Sequence, residues 1–145
     1  MDSCLEAGIV DKLLECNIPT VGSTRAGAEI EWNKTFSRQL IEKICPDANP
    51  KHWIAQTPQD IEKIFQIIKD MAVVIKPQGL TSGKGVKVMG IHLNNHKEAQ
   101  QYAKEILRKK IGKSTEVIIE EKLIEAEVSF FLKNERCFFL KKKYL

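Results

Sequence analysis

At 145 residues the chain has room for one ordinary domain or for pieces of two larger ones, and 43% hydrophobic with 29% charged residues is the balance of a folded globular protein, which argues against disorder. A net charge of +4 suits an anionic ligand but is too small and too dispersed to argue for nucleic acid by itself. No apolar run approaches the roughly 18 residues of a membrane span, and "MDSCLEAGIVDKLLEC" lacks the basic-then-apolar layout of a signal peptide. Cys4, Cys16, Cys45 and Cys137 form no C-x-x-C pair. A cytoplasmic chain with reduced, mostly buried thiols is therefore expected, with no membrane partner.

In chain order, "EAGIVDKLLECNIPTVG" places Ile9, Val10, Leu13 and Leu14 at helical spacing, breaks at Asn17 and Pro19, and continues as a short strand ending at Gly22. "STRAGAEIEWNKTFSRQLIEKI" predicts a helix capped by Ser23 or Thr24, with Ile30, Phe36, Leu40, Ile41 and Ile44 as its apolar positions. "CPDANPKHWIAQTP" is proline-rich connector with at most a short strand. "TPQDIEKIFQIIKDM" predicts an amphipathic helix with Thr57 as cap, Pro58 at the first position and Ile61, Ile64, Phe65 and Ile68 as the buried stripe. "AVVIKP" and "GVKVMGI" read as strands, "NNHKEAQQYAKEILRKKIG" as a helix ended by Gly112, "EVIIEEKL" as a strand, and "EVSFFLKN" with "RCFFLKKK" as a hairpin turning at Asn134-Glu135. The second part is an α+β unit, a small antiparallel-rich sheet with helices on one face, preceded by a helical linker segment.

The stretch "VVIKPQGLTSGKGVKV", residues 73 to 88, sets Gly79, Gly83 and Gly85 between two β-branched runs. It is not a P-loop: Gly79 and Gly83 stand too close, Lys84 is followed by Gly85 rather than Ser or Thr, and a strand follows instead of a helix. The loop joins two strands, so it makes a glycine-rich flap whose backbone N–H groups can fold over an anion. The plainer alternative is a flexible hairpin loop with solvated lysines. Two features favour the flap: Lys76 lies in an otherwise apolar strand, where a cation needs an anionic partner, and Thr81 and Ser82 add hydroxyl donors. Further on, "VIIEEKLIEAEVS" ends an apolar strand with Glu120 and Glu121, which face opposite sides, so that one points inward. Read alone, this stretch is a solvated edge; beside the flap it becomes a candidate ligand acceptor.

A strand ending in Lys, a G-L-x-x-G-K-G-V loop, a helix, then "VIIEEKL" and "AEVS" resembles the nucleotide-binding small domain of an ATP-grasp enzyme. Within that superfamily the wording is similar to glycinamide ribonucleotide synthetase, also called phosphoribosylamine–glycine ligase, over roughly residues 7–133. The resemblance implies roles position by position. Lys34, in "WNKTF", and Lys76 would reach the nucleotide phosphates, and Gly79, Thr81, Ser82, Gly83, Lys84 and Gly85 would form the flap over them. Glu120, with Glu121 beside it, would accept from the adenine amine, Leu123 would offer backbone to the adenine ring, and Glu127 would hold the ribose hydroxyls. The implied chemistry is ATP-dependent amide formation between glycine and phosphoribosylamine through a glycyl phosphate, with Mg²⁺ neutralising the phosphates.

The sequence also departs from the family. Members are much longer, so the resemblance makes residues 1–24 a remnant of an N-terminal domain, 25–56 a helix and connector, and 57–145 a small nucleotide-binding subdomain truncated at its C-terminus. The magnesium ligands are expected in the missing C-terminal part, so no metal ligand and no catalytic residue is named. Ile124 and Glu125 replace the acidic-Gly turn the family carries before the ribose carboxylate, and "CFFLKKKYL" does not match the family's continuation. Completion of the reaction would then need the missing half in trans. The competing readings are a non-catalytic ATP-binding module or a subunit of a split ligase, and an inert product whose Phe130, Phe131, Phe138 and Phe139 would invite aggregation. A nucleic-acid binder is disfavoured, because "RKKIGK" and Lys141 to Lys143 lack interleaved aromatics.

Overall fold

The computed structural model describes residues 2–81, 83–123, 128–133 and 136–141. Four helices come first: α1 (Asp2–Glu6), α2 (Ile9–Glu15), α3 (Glu29–Trp32) and α4 (Lys34–Ile44). The single helix expected after Ser23 or Thr24 is divided at Asn33, whose non-helical backbone (φ −112°, ψ 89°) stops α3 and whose side chain accepts from the Phe36 N–H, capping α4. The Thr24 hydroxyl instead accepts from the Gly27 N–H and closes a turn. The strand expected up to Gly22 does not form, because no neighbouring strand pairs with residues 18–22 and Val21 is fully exposed. The cysteine expectation also needs correction. Cys4, Cys16 and Cys45 are free thiols but exposed, Cys16 and Cys45 because each sits at the end of a helix, past its buried positions.

The α+β part comprises β1 (His52–Ala55), α5 (Pro58–Ile68), β2 (Val73–Pro77), β3 (Lys87–Val88), α6 (His96–Lys109) and β4 (Val117–Glu121). Thr57 and Asp60 start α5 with a reciprocal capping box: the Thr57 hydroxyl accepts from the Asp60 N–H at 3.2 Å and the Asp60 carboxylate accepts from the Thr57 N–H at 2.9 Å. The Thr57 hydrogen bond, with the backbone N–H groups of Gln56 and Thr57, holds the Asp60 carboxyl below its ordinary value. Thr57→Ala should lower stability by about 1 kcal/mol in urea unfolding. The strand order is β1-β4-β2-β3 with every pair antiparallel.

β3 is shorter than expected because the chain turns away at Gly90, which takes a left-handed φ of 84°. The left-handed cap of α6 is Lys110, at φ 49°, and not Gly112. Gly112 lies in the following 3-10 turn (Ile111–Lys113), where a Cβ would stand 2.9 Å from the Leu80 carbonyl oxygen.

Strand parity divides the sheet's residues between its faces. Ala55, Val73, Ile75, Val117 and Ile119 face α5 and α6 and are each 0% exposed, packed with Ile61, Phe65, Tyr102 and Ile106. The opposite face presents His52, Val74, Lys76, Ile118 and Glu120, and α4 reaches it through Arg38. β5 (Val128–Lys133) and β6 (Arg136–Lys141) form a separate antiparallel pair, as the hairpin reading expected, while its turn at 134–135 lies outside the described residues. Among the described residues no helix is long and apolar enough to cross a membrane.

Candidate functional site

Because Lys76 pairs with Ile118 and Val74 with Glu120, the parity that buries Ile75 and Ile119 brings Lys76 and Glu120 to one face. The Lys76 ammonium donates to Glu120 Oε2 at 2.6 Å. Arg38, one turn along α4 from Lys34, forks onto the same carboxylate, with Nε donating to Oε1 at 2.6 Å and Nη2 to Oε2 at 3.0 Å. Glu120 is only 3% exposed. Burial alone would push its carboxyl up; the Arg38 hydrogen bonds and the nearby Lys76 charge outweigh that and hold it below the usual carboxylate value. Asn49 fixes Arg38 from behind, donating to its carbonyl at 3.0 Å and accepting from Nη1 at 3.4 Å.

Lys34 approaches the same centre from the N-terminus of α4. Its ammonium donates to the Gly79 carbonyl at 2.8 Å, and its backbone N–H to the Gln78 carbonyl at 3.2 Å. Burial and then repulsion from Lys76 lower the Lys34 pKa from its ordinary value, partly opposed by Glu120. Glu116 anchors α4 to the strand ends, accepting from Thr35, Gln56 and Gln78 at 2.8, 2.8 and 3.2 Å.

The glycines of the loop do two different things. A Cβ on Gly79 would lie 2.2 Å from the Gly112 carbonyl oxygen, and one on Gly85 would lie 2.6 Å from the Thr81 hydroxyl and 2.7 Å from Pro77 Cγ. Both glycines therefore allow close approach to the protein's own chain. Their N–H groups are occupied as well, Gly79 donating to Ser114 Oγ at 3.0 Å and Gly85 to Thr81 Oγ1 at 3.1 Å, while Tyr102 donates to the Gly85 carbonyl at 2.8 Å. Gly83 alone of the three has a left-handed φ, 76°, and open space around it, with exposed Lys84 beside it. The loop is thus a tip carried between two fastened feet.

Lys34, Lys76, Glu120 and the foot of the loop at Gly79 come together. Glu121 points elsewhere, its carboxylate accepting from the Lys51 N–H at 2.8 Å, and the Leu123 side chain is exposed. Thr81 serves the loop's own foot, and Ser82 and Glu127 lie outside the described residues. Arg38 was not singled out from the sequence. Its one signal there is its position four residues after Lys34, on the same side of a helix. Among the described residues no three His, Cys, Asp or Glu side chains gather in a way that could hold a metal ion, and no step is assigned to one.

Comparison with known proteins places the chain among relatives. The family model described as "Phosphoribosylglycinamide synthetase, ATP-grasp (A) domain" matches residues 32–142. The chain is 42% identical over 123 residues to a phosphoribosylamine–glycine ligase of Methanothermobacter thermautotrophicus, covering 85% of this chain and 28% of the relative. It is 45% identical over 124 residues to the Methanopyrus kandleri protein of the same name, covering 85% of this chain and 27% of the relative. The chain therefore spans somewhat over a quarter of the length of these relatives. In fold it is similar to D-alanyl-alanine synthetase A from Vibrio cholerae, with TM-score 0.68 and 18% identity over 93% of this chain and 40% of the other. It is also similar to the phosphoribosylamine–glycine ligase from Thermotoga maritima, with TM-score 0.65 and 21% identity over 82% of this chain and 30% of the other.

Proposed function

Since the chain belongs to the phosphoribosylglycinamide synthetase ATP-grasp (A) domain family, we propose that it supplies the ATP-binding part of a phosphoribosylamine–glycine ligase of purine biosynthesis, acting in the cytoplasm. The observation that carries this reading is the buried Glu120 carboxylate flanked by Lys76, with Lys34 and the loop at Gly79 alongside. Cations held over one sheet face beside a glycine-rich loop suit a polyphosphate, and a buried acceptor on the next strand suits a base amine. In the reaction so read, the glycine carboxylate oxygen attacks the γ-phosphorus of ATP and ADP leaves. The amine of phosphoribosylamine then attacks the acyl carbon of glycyl phosphate, and phosphate leaves with the formation of the amide. The part assigned to this chain is to hold the triphosphate: Lys34 and Lys76 balance its charge, and the tip around Gly83 and Lys84, with Ser82, closes over it. Glu127 is assigned to the ribose hydroxyls and the Leu123 backbone to the adenine ring.

A thermal-shift titration of the 145-residue chain with ATP and magnesium, beside Lys76→Ala, tests this. Ligand at about a hundred times its Kd should stabilise by roughly 2.7 kcal/mol, which is about 5–10 °C for a chain of this size. A saturable shift that Lys76→Ala abolishes is the expected outcome. No shift from a cooperatively melting protein would refute the assignment.

A further inference from the structure

Glu120 carries more positive charge than a resting carboxylate requires. Two cations, Lys76 and Arg38, share its oxygens, and between them they take three of about four acceptor positions: one on Oε1 and two on Oε2. Among the described residues no donor takes the remaining position, on Oε1. His52, the partner of Glu120 across β1, turns its Nδ1 to the Pro50 carbonyl at 3.2 Å or to Asn49 Nδ2 at 3.4 Å, according to its tautomer. If Lys76 turns to the phosphates, as the proposed function has it, Arg38 is the counter-ion left on a carboxylate that is 3% exposed. The Arg38 fork also sets the carboxylate plane, and Asn49 holds the fork.

We propose that Arg38 is a positioning residue for base recognition: it holds Glu120 as a fixed acceptor whose remaining positions select a nucleotide base bearing an exocyclic amine and reject one bearing a carbonyl there. This inference rests on the nucleotide-binding reading above. A carbonyl oxygen set against Oε1 would bring lone pairs together with no proton between them, whereas an amine would complete the carboxylate's set of donors. Without Arg38 the carboxylate would be free to rotate about its last side-chain bond or to take up a proton, and a protonated Glu120 could donate to a carbonyl.

The test is calorimetric binding of ATP and of inosine triphosphate, which has a carbonyl in place of the amine, each with magnesium, to the wild-type chain, Arg38→Met and Arg38→Lys. Wild type should prefer ATP by about tenfold or more, the value of one hydrogen bond to a charged acceptor. Arg38→Met should bring the two affinities within about threefold of each other while moving the inosine nucleotide's affinity little, and Arg38→Lys should fall between. An Arg38→Met chain that keeps the full preference, or weakens both nucleotides equally, overturns the proposal, as does a wild type that binds both alike. A wild type that binds neither nucleotide defeats the proposed function itself. Should Arg38→Met fail to melt cooperatively, Asn49→Ala loosens Arg38 without removing a charge. It should reduce the preference severalfold, and an unchanged preference there counts against the role.

Discussion

Glu120→Ala is expected to destabilise the chain by about 3 kcal/mol, lowering its thermal midpoint by roughly 6–12 °C, and to abolish the ATP-induced shift. The substitution strands Arg38 and Lys76 beside each other with no shared anion. Removing one member of a buried pair costs about 3–5 kcal/mol. The low end applies here because the two cationic side chains are 20% and 23% exposed and can turn partly to water. The same geometry fixes the pH dependence. The folded carboxyl lies below its ordinary value of 4.5, so its contribution is fully present above that value and is lost as pH falls through the lower folded pKa. Urea midpoints of wild type and Glu120→Gln should therefore differ most at neutral pH and converge below about pH 4.5. A gap that stays constant down to pH 3 would mean that packing rather than charge accounts for the effect.

The second large effect separates two glycines four residues apart. Gly79→Ala drives a Cβ into the Gly112 carbonyl at 2.2 Å, a backbone atom that cannot rotate away, so the β2 end and the turn after α6 must part. About 3 kcal/mol of lost stability is expected, with a weakened hydrogen bond from Gly79 to Ser114, a weakened one from Lys34 to Gly79, and a loss of nucleotide affinity. Gly83→Ala meets nothing within 4 Å and bears only the left-handed backbone penalty, about 1 kcal/mol. Equilibrium unfolding of both variants decides the matter. Equal losses would mean that the loop is not fastened at Gly79.

The sequence carried the elements whose signals are local. Thr57, Pro58 and Asp60 announce α5 within one turn, the stripe from Ile61 to Ile68 gives its buried side, and alternation along the apolar run of β4 turns one of Glu120 and Glu121 inward without saying which. What escaped depends on partners distant in the chain. Arg38 reads as the solvated side of an amphipathic helix until Glu120, 82 residues later, folds against it. Asn33 reads as a residue within a helix until its side chain is seen capping α4. The glycines suggested approach to a ligand, but two of them make room for the chain itself, because the neighbours of Gly79 and Gly85 are set by the turn after α6 and by Thr81. Exposed Cys16 and Cys45 follow from helix ends that composition does not reveal.

The placement of Ile119 and Glu120 on opposite faces of β4 means that substitution and insertion act on this chain in unlike ways. A changed side chain alters either the packing against α5 and α6 or the ligand side, seldom both. Adding one residue between Ser114 and Val117 would slide β4 by one position, put Ile119 where Glu120 now meets Lys76 and Arg38, and carry Glu120 into the place of Glu121 beside Lys51. The length of that short connector thus matters to the proposed nucleotide site as much as Lys76 does. Lineages carrying this site should tolerate varied residues there but not a varied number of them.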